Sequence, residues 1–62
     1  MDLRFRYDSE VDAAYLRFST TKVVQSAEVS PGVVLDFDAE GRIVALEVMQ
    51  ASMRLSNDAL LK

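Results

Sequence analysis

The sequence predicts a small α+β domain, mainly β: an antiparallel β-meander of four to five strands with a short C-terminal helix. Three observations carry the prediction. Apolar and polar residues alternate with a period of two through residues 3–7 and again through residues 14–18. Turn-forming residues break the chain at 8–12, 19–22, 30–32 and 40–41. Beyond Met49 the alternation is lost and helix formers take its place.

The first strand is predicted over residues 3–7, where Leu3, Phe5 and Tyr7 alternate with Arg4 and Arg6. The second follows the Asp8 to Asp12 turn, with Ala14, Leu16 and Phe18 on one side and Ala13, Tyr15 and Arg17 on the other. Residues 23–29 hold three valines, and this β-branched content favours a third strand over a helix. Pro31 and Gly32 interrupt it, because proline has no N–H to donate and glycine readily takes a positive φ. A fourth strand then places Val33, Leu35 and Phe37 on one face and Asp36 on the other. Gly41 tips the hairpin into a fifth strand, Ile43–Met49. That strand is apolar on both sides apart from Glu47, a pattern that asks for cover on both faces. Ser56 or Asn57 is placed to cap a short helix in the tail, with Met53, Leu55, Leu60 and Leu61 as its apolar contacts.

A chain of 62 residues makes one domain, residues 1–62, and a domain this short buries only about 60% of the surface its unfolded chain exposes. Small scaffolds compensate with disulfides, metals or self-association. The absence of cysteine closes the first route and removes thiolate chemistry; the absence of histidine removes the commonest general base and metal ligand. Self-association is the natural remaining route, with Ile43, Met49, Met53 and Leu55 as candidate interface residues. A net charge of −3 gives no global attraction to nucleic acid or anionic lipid. The first residues alternate where a signal peptide would be continuously apolar, and no run is long enough to span a bilayer, so a cytoplasmic location is expected.

The segment from Asp36 to Glu47 also fits a calcium-loop template. Asp36, Asp38, Glu40 and Glu47 stand at ligand positions, Gly41 at the turn and Ile43 at the aliphatic position. The template requires an entering helix, however, and Ser30-Pro31-Gly32 followed by Val33-Val34-Leu35 is poor helix material. The hairpin reading is therefore preferred, and no metal or cofactor is expected.

Pairing of the first two strands through their turn sets Phe5 near Leu16 and leaves Arg4, Arg6, Tyr15 and Arg17 together on the opposite face. Such a patch could grip single-stranded nucleic acid. The acidic total charge instead favours pairing of these arginines with Asp36 and Glu47 from the other hairpin. Asp36 and Glu47 could also stand close enough to act as an acid and base pair, but so small a domain offers little room for a walled pocket. An enzyme or nucleic-acid binder built on these residues is thus the alternative to a non-enzymatic binding module.

Two blocks, residues 6–18 and 29–48, with Ala51-Ser52 closing the pattern, resemble the bacterial family known as domain of unknown function 2283. The resemblance implies a compact β-meander with a short C-terminal helix and brings no assigned activity. It implies a partner-binding or antitoxin-like role beside a small toxin-like protein. It also directs attention to Glu47, which follows Ala45-Leu46 at a position typical of that pattern.

Overall fold

The computed structural model describes residues 3–56 and Asp58. Five strands, β1 (Arg4–Asp8), β2 (Ala13–Arg17), β3 (Gln25–Ser30), β4 (Val33–Phe37) and β5 (Ile43–Met49), precede one helical turn, α1 (Ala51–Arg54). All five form a single antiparallel sheet in the order β1-β2-β5-β4-β3. The hairpin β1–β2 and the run β3–β4–β5 are thus joined along β2 and β5. The most apolar strand occupies the middle of the sheet, where it gains a neighbour on each side.

The pairing registers sort the side chains into two faces. One face carries the row Phe5, Leu16, Leu46, Leu35 and Ala27 across β1, β2, β5, β4 and β3, with Tyr7, Ala14, Val48 and Val33 as the next row. The other carries Arg4, Arg17, Ala45, Asp36 and Ser26, and beside them Arg6, Tyr15, Glu47, Val34 and Glu28. These are called the apolar and the polar face below.

Only part of the apolar face is covered. Ala51 of α1 and the following Leu55 pack against Ala14, Val48, Tyr7 and Leu46, forming a small core at one end of the sheet. Further along, Phe5 remains 40% exposed, and Leu16, Leu35, Leu46 and Phe37 are only half-buried.

At the middle of the sheet the chain shelters its own central strand. Val44 is 1% exposed and Ala45, which points to the opposite face, is fully buried. The sequence pattern of β5 called for cover on both faces, and at these two positions a single chain supplies it. The Arg17 side chain, on the polar face, binds the β2–β3 connection, donating to the Ser19 carbonyl at 2.6 Å and the Thr21 carbonyl at 2.8 Å.

The helix departs from its expected start. α1 begins directly after β5, with Gln50 in the left-handed region at φ 52°, and ends before Ser56. Its first N–H groups are satisfied from a distance: the Asp12 carbonyl accepts the Ala51 N–H at 2.8 Å, and the Asp12 carboxylate accepts the Ser52 N–H at 3.0 Å and the Ser52 hydroxyl at 2.7 Å. The expected cap residue Asn57 and the expected contacts Leu60 and Leu61 lie outside the described residues.

Candidate functional site

Turn chemistry positions both ends of the polar face. Between β4 and β5, the Asp38 carboxylate accepts the N–H groups of Glu40 and Arg42, each at 2.9 Å, and Gly41 takes φ 79°. These backbone bonds hold the Asp38 carboxyl below the usual carboxylate range. The stretch that fits a calcium loop is therefore a hairpin. Its Asp36 and Glu47 belong to strands, Asp38 is folded onto its own turn, and Glu40 pairs with Arg42 at 3.1 Å in solvent. Among the described residues no group of three or more acidic side chains is gathered as a metal cage.

The two carboxyl groups singled out in the sequence do meet. Asp36 lies opposite Ala45 and Glu47 opposite Val34, so they are diagonal neighbours on adjacent strands. Asp36 is 2% exposed, and its carboxylate accepts the Ser26 hydroxyl at 2.6 Å. Glu47 hydrogen-bonds to Asp36, and that bond, with partial desolvation and the neighbouring negative charge, pushes its carboxyl above the ordinary value. A carboxyl so placed holds its proton into a range where free glutamate has lost it.

The register gathers the four patch residues on one face, as the strand pairing predicts. Arg4 and Arg17 stand opposite each other, as do Arg6 and Tyr15, so all four residues share the polar face with Asp36 and Glu47. Arg17, however, turns toward the β2–β3 connection and donates to the Tyr15 hydroxyl at 3.0 Å. The link to the carboxyl pair expected of it is replaced by this one. Arg17 acts as a brace for residues 19–21, where the Ser19 and Thr21 side chains are also bonded at 2.8 Å.

A groove of about 660 Å³ opens along this face beside the β1–β2 turn, with Arg6, Asp8, Glu10, Tyr15, Glu47 and Met49 among its lining. It is roomier than the size of the chain suggested, and residues 8–11 of the β1–β2 turn form part of its wall. Three acidic groups face one arginine in it, a mixed lining ill-suited to a phosphate backbone. On the apolar face a smaller hollow of about 140 Å³ lies among Phe5, Leu16, Leu46, Val48 and Leu55 and has no polar lining.

The candidate interface residues separate into two groups. Ile43, Met49 and Met53 are exposed, Met53 at 83%, whereas Leu55 folds back onto the chain's own core. Asp12 stands in the sequence only as the end of the first turn, with no sign of its link to the helix. It joins β1, the first turn and α1, since the Tyr7 hydroxyl also donates to its carboxylate at 2.6 Å. The bonds from Tyr7 and Ser52 hold the Asp12 carboxyl below its ordinary value, and the same bond raises the Tyr7 hydroxyl. The one local signal was an Asp ending a turn, at a position where the chain adopts φ 55°.

Fold and site together define a class: a single-layer antiparallel β domain with one internally bonded face and one open apolar face. The chain belongs to the DUF2283 family, described as a protein of unknown function, whose model matches residues 4–52. No curated protein and no solved structure matches it. No helix among the described residues is long and apolar enough to cross a membrane.

Proposed function

We propose that this protein is a non-enzymatic, self-associating binding module, and that the partner of its apolar face is a second copy of the same chain. The observation that carries the reading is the uncharged row Phe5, Leu16, Leu46, Leu35 and Ala27, which spans all five strands and of which Leu46 meets Leu55 while Phe5 stays exposed and the others only half-buried. A sheet with one apolar face must bury it against another layer. The two longer dimensions of the molecule, 34 and 25 Å, bound the footprint of a face at about 800 Å², close to what each partner contributes to a standard interface. Because the row has no charge, two copies can stack face to face without stranding an ion between them.

A cytoplasmic setting suits a chain that has no cysteine to oxidise. Sedimentation of the purified chain across micromolar concentrations is expected to show a dimer. A stable monomer there would overturn the reading. A mixed complex with a small toxin-like protein, formed at the expense of the dimer, would replace the second copy as occupant. The acidic lining beside Arg6 argues against the alternative of a nucleic-acid binder.

A further inference from the structure

Asp36 and Glu47 are diagonal neighbours on one face of β4 and β5, with Asp36 buried, and two carboxyl groups brought together there repel when both are ionised, whereas one proton held between them binds them to each other. Asp36 is pinned by the Ser26 hydroxyl and almost wholly buried, which leaves Glu47, facing the groove, as the member free to leave. We propose that Asp36 and Glu47 form a one-proton clasp between β4 and β5, and that it opens as the pH rises, making the polar face a pH-sensitive element of the domain.

The surroundings favour a closed clasp in mild acid. Tyr15 of β2 stands opposite Glu47, with Arg6 of β1 beyond it; Arg17 of β2 stands opposite Ala45, with Arg4 of β1 beyond. Glu28 of β3 lies across Val34 from Glu47, Lys22 belongs to the β2–β3 connection, and Asp8 and Glu10 share the groove. Several of these charges are engaged elsewhere, among them Asp8, whose carboxylate accepts the Glu10 N–H at 3.0 Å. Arg17 is bonded to Ser19, Thr21 and Tyr15, and the Glu28 carboxylate accepts the Gly32 N–H at 3.0 Å. On the groove side Asp8 and Glu10 stand with Arg6, whereas Glu28 lies on the far side of β4, so the charge that most directly opposes ionisation of Glu47 is that of Asp36 itself.

Opening has a defined sign. The folded chain holds the Glu47 proton more firmly than the unfolded chain does. The clasp's contribution is therefore complete below the unfolded value and is lost as the pH rises through the folded one. Once ionised, Glu47 is repelled from Asp36, and the free direction for it is the groove.

The test is a carbon-13 titration of the side-chain carboxyls in the full chain, with thermal melts of the native protein, Glu47→Gln and Asp36→Asn over about pH 4 to 8. One carboxyl of the pair should keep its proton beyond the ordinary range. The native Tm should fall with rising pH, and Glu47→Gln, whose amide N–H can still donate to Asp36, should lose that fall. Two carboxyls titrating independently in the ordinary range, or a Glu47→Gln slope equal to the native one, would overturn the proposal. If neither variant folds, the titration of the native chain decides alone.

Discussion

The two faces of this sheet are made from the same five strands, yet they solve opposite problems. On the polar face, side chains with charge or hydroxyls find partners within the chain: Ser26 with Asp36, Asp36 with Glu47, Arg17 with Tyr15 and the connection. On the apolar face the chain covers its central strand at Val44 and one end of the sheet, where Ala51 and Leu55 meet Ala14 and Val48, and leaves Phe5 exposed and Leu16 and Leu35 only half-buried. Polar satisfaction is local and needs few atoms, whereas burying a flat apolar surface needs a whole second layer. A chain of this length has enough residues for the first and too few for the second.

The largest expected effect comes from placing a charge on each face in turn. Phe5→Glu and Arg6→Glu alter adjacent residues of an edge strand that point to opposite sides. Phe5→Glu would bury a carboxylate at the contact between copies and should weaken self-association by roughly 30-fold or more, following the 2–4 kcal/mol typical of a lost apolar anchor. Arg6→Glu should leave it nearly unchanged. Sedimentation equilibrium measures both, and equal weakening by the two variants would mean that the faces do not differ in this way.

Much of this contrast was legible in the sequence, because alternation reports which residues share a face. The limits of β5 and the opposition of Phe5 to Leu16 follow directly from it. The closeness of Asp36 and Glu47 also follows, since a hairpin tipped at Gly41 brings them to adjacent strands. The burial of Asp36 does not. It depends on sheet order and on tertiary cover, neither of which has a local signature. The same holds for the start of α1, whose cap is Asp12, forty residues before Ser52. Gln50 offers no side-chain cap of its own, so the sequence pattern points further along for a cap, to Ser56 or Asn57.

Next in size is a comparison of the two glycines. Gly32 and Gly41 have nearly equal φ, 77° and 79°, and alanine at either should cost on the order of 1–2 kcal/mol of backbone strain. A Cβ at Gly41 meets open space, but at Gly32 it would stand 2.5 Å from the Arg54 Nε. That nitrogen donates to the Met49 carbonyl at 3.0 Å. Gly32→Ala should therefore exceed Gly41→Ala by about 1 kcal/mol in denaturant unfolding, the worth of a displaced hydrogen bond. Equal losses would show that Arg54 yields without cost.

Asp12 gives a smaller effect with the opposite pH sign to the Glu47 clasp. Its depressed value means that its contribution is present above the unfolded aspartate value and disappears as the pH falls through the folded one. Asp12→Ala removes three side-chain bonds and Ser52→Ala only one of them, so the former should lower Tm more. The gap between Asp12→Ala and the native chain should close on acidification. A gap that stays constant into acid would detach the carboxylate from the cap.

The smallest effect belongs to the ion pair that a survey of charges would notice first. Arg42 and Glu40 approach to 3.1 Å in the β4–β5 turn, but their side chains are 78% and 68% exposed. Water screens such a pair, and holding two long side chains together costs rotamer freedom. What shapes this turn is the Asp38 carboxylate bonded to the backbone N–H groups of Glu40 and Arg42, and those bonds survive when the Arg42 side chain is removed. Arg42→Ala should therefore change unfolding free energy by no more than about 0.5 kcal/mol. A larger loss, abolished by salt, would mean that the hairpin depends on surface charge, and the division between an internally bonded face and an open one would need a third contributor at the turn.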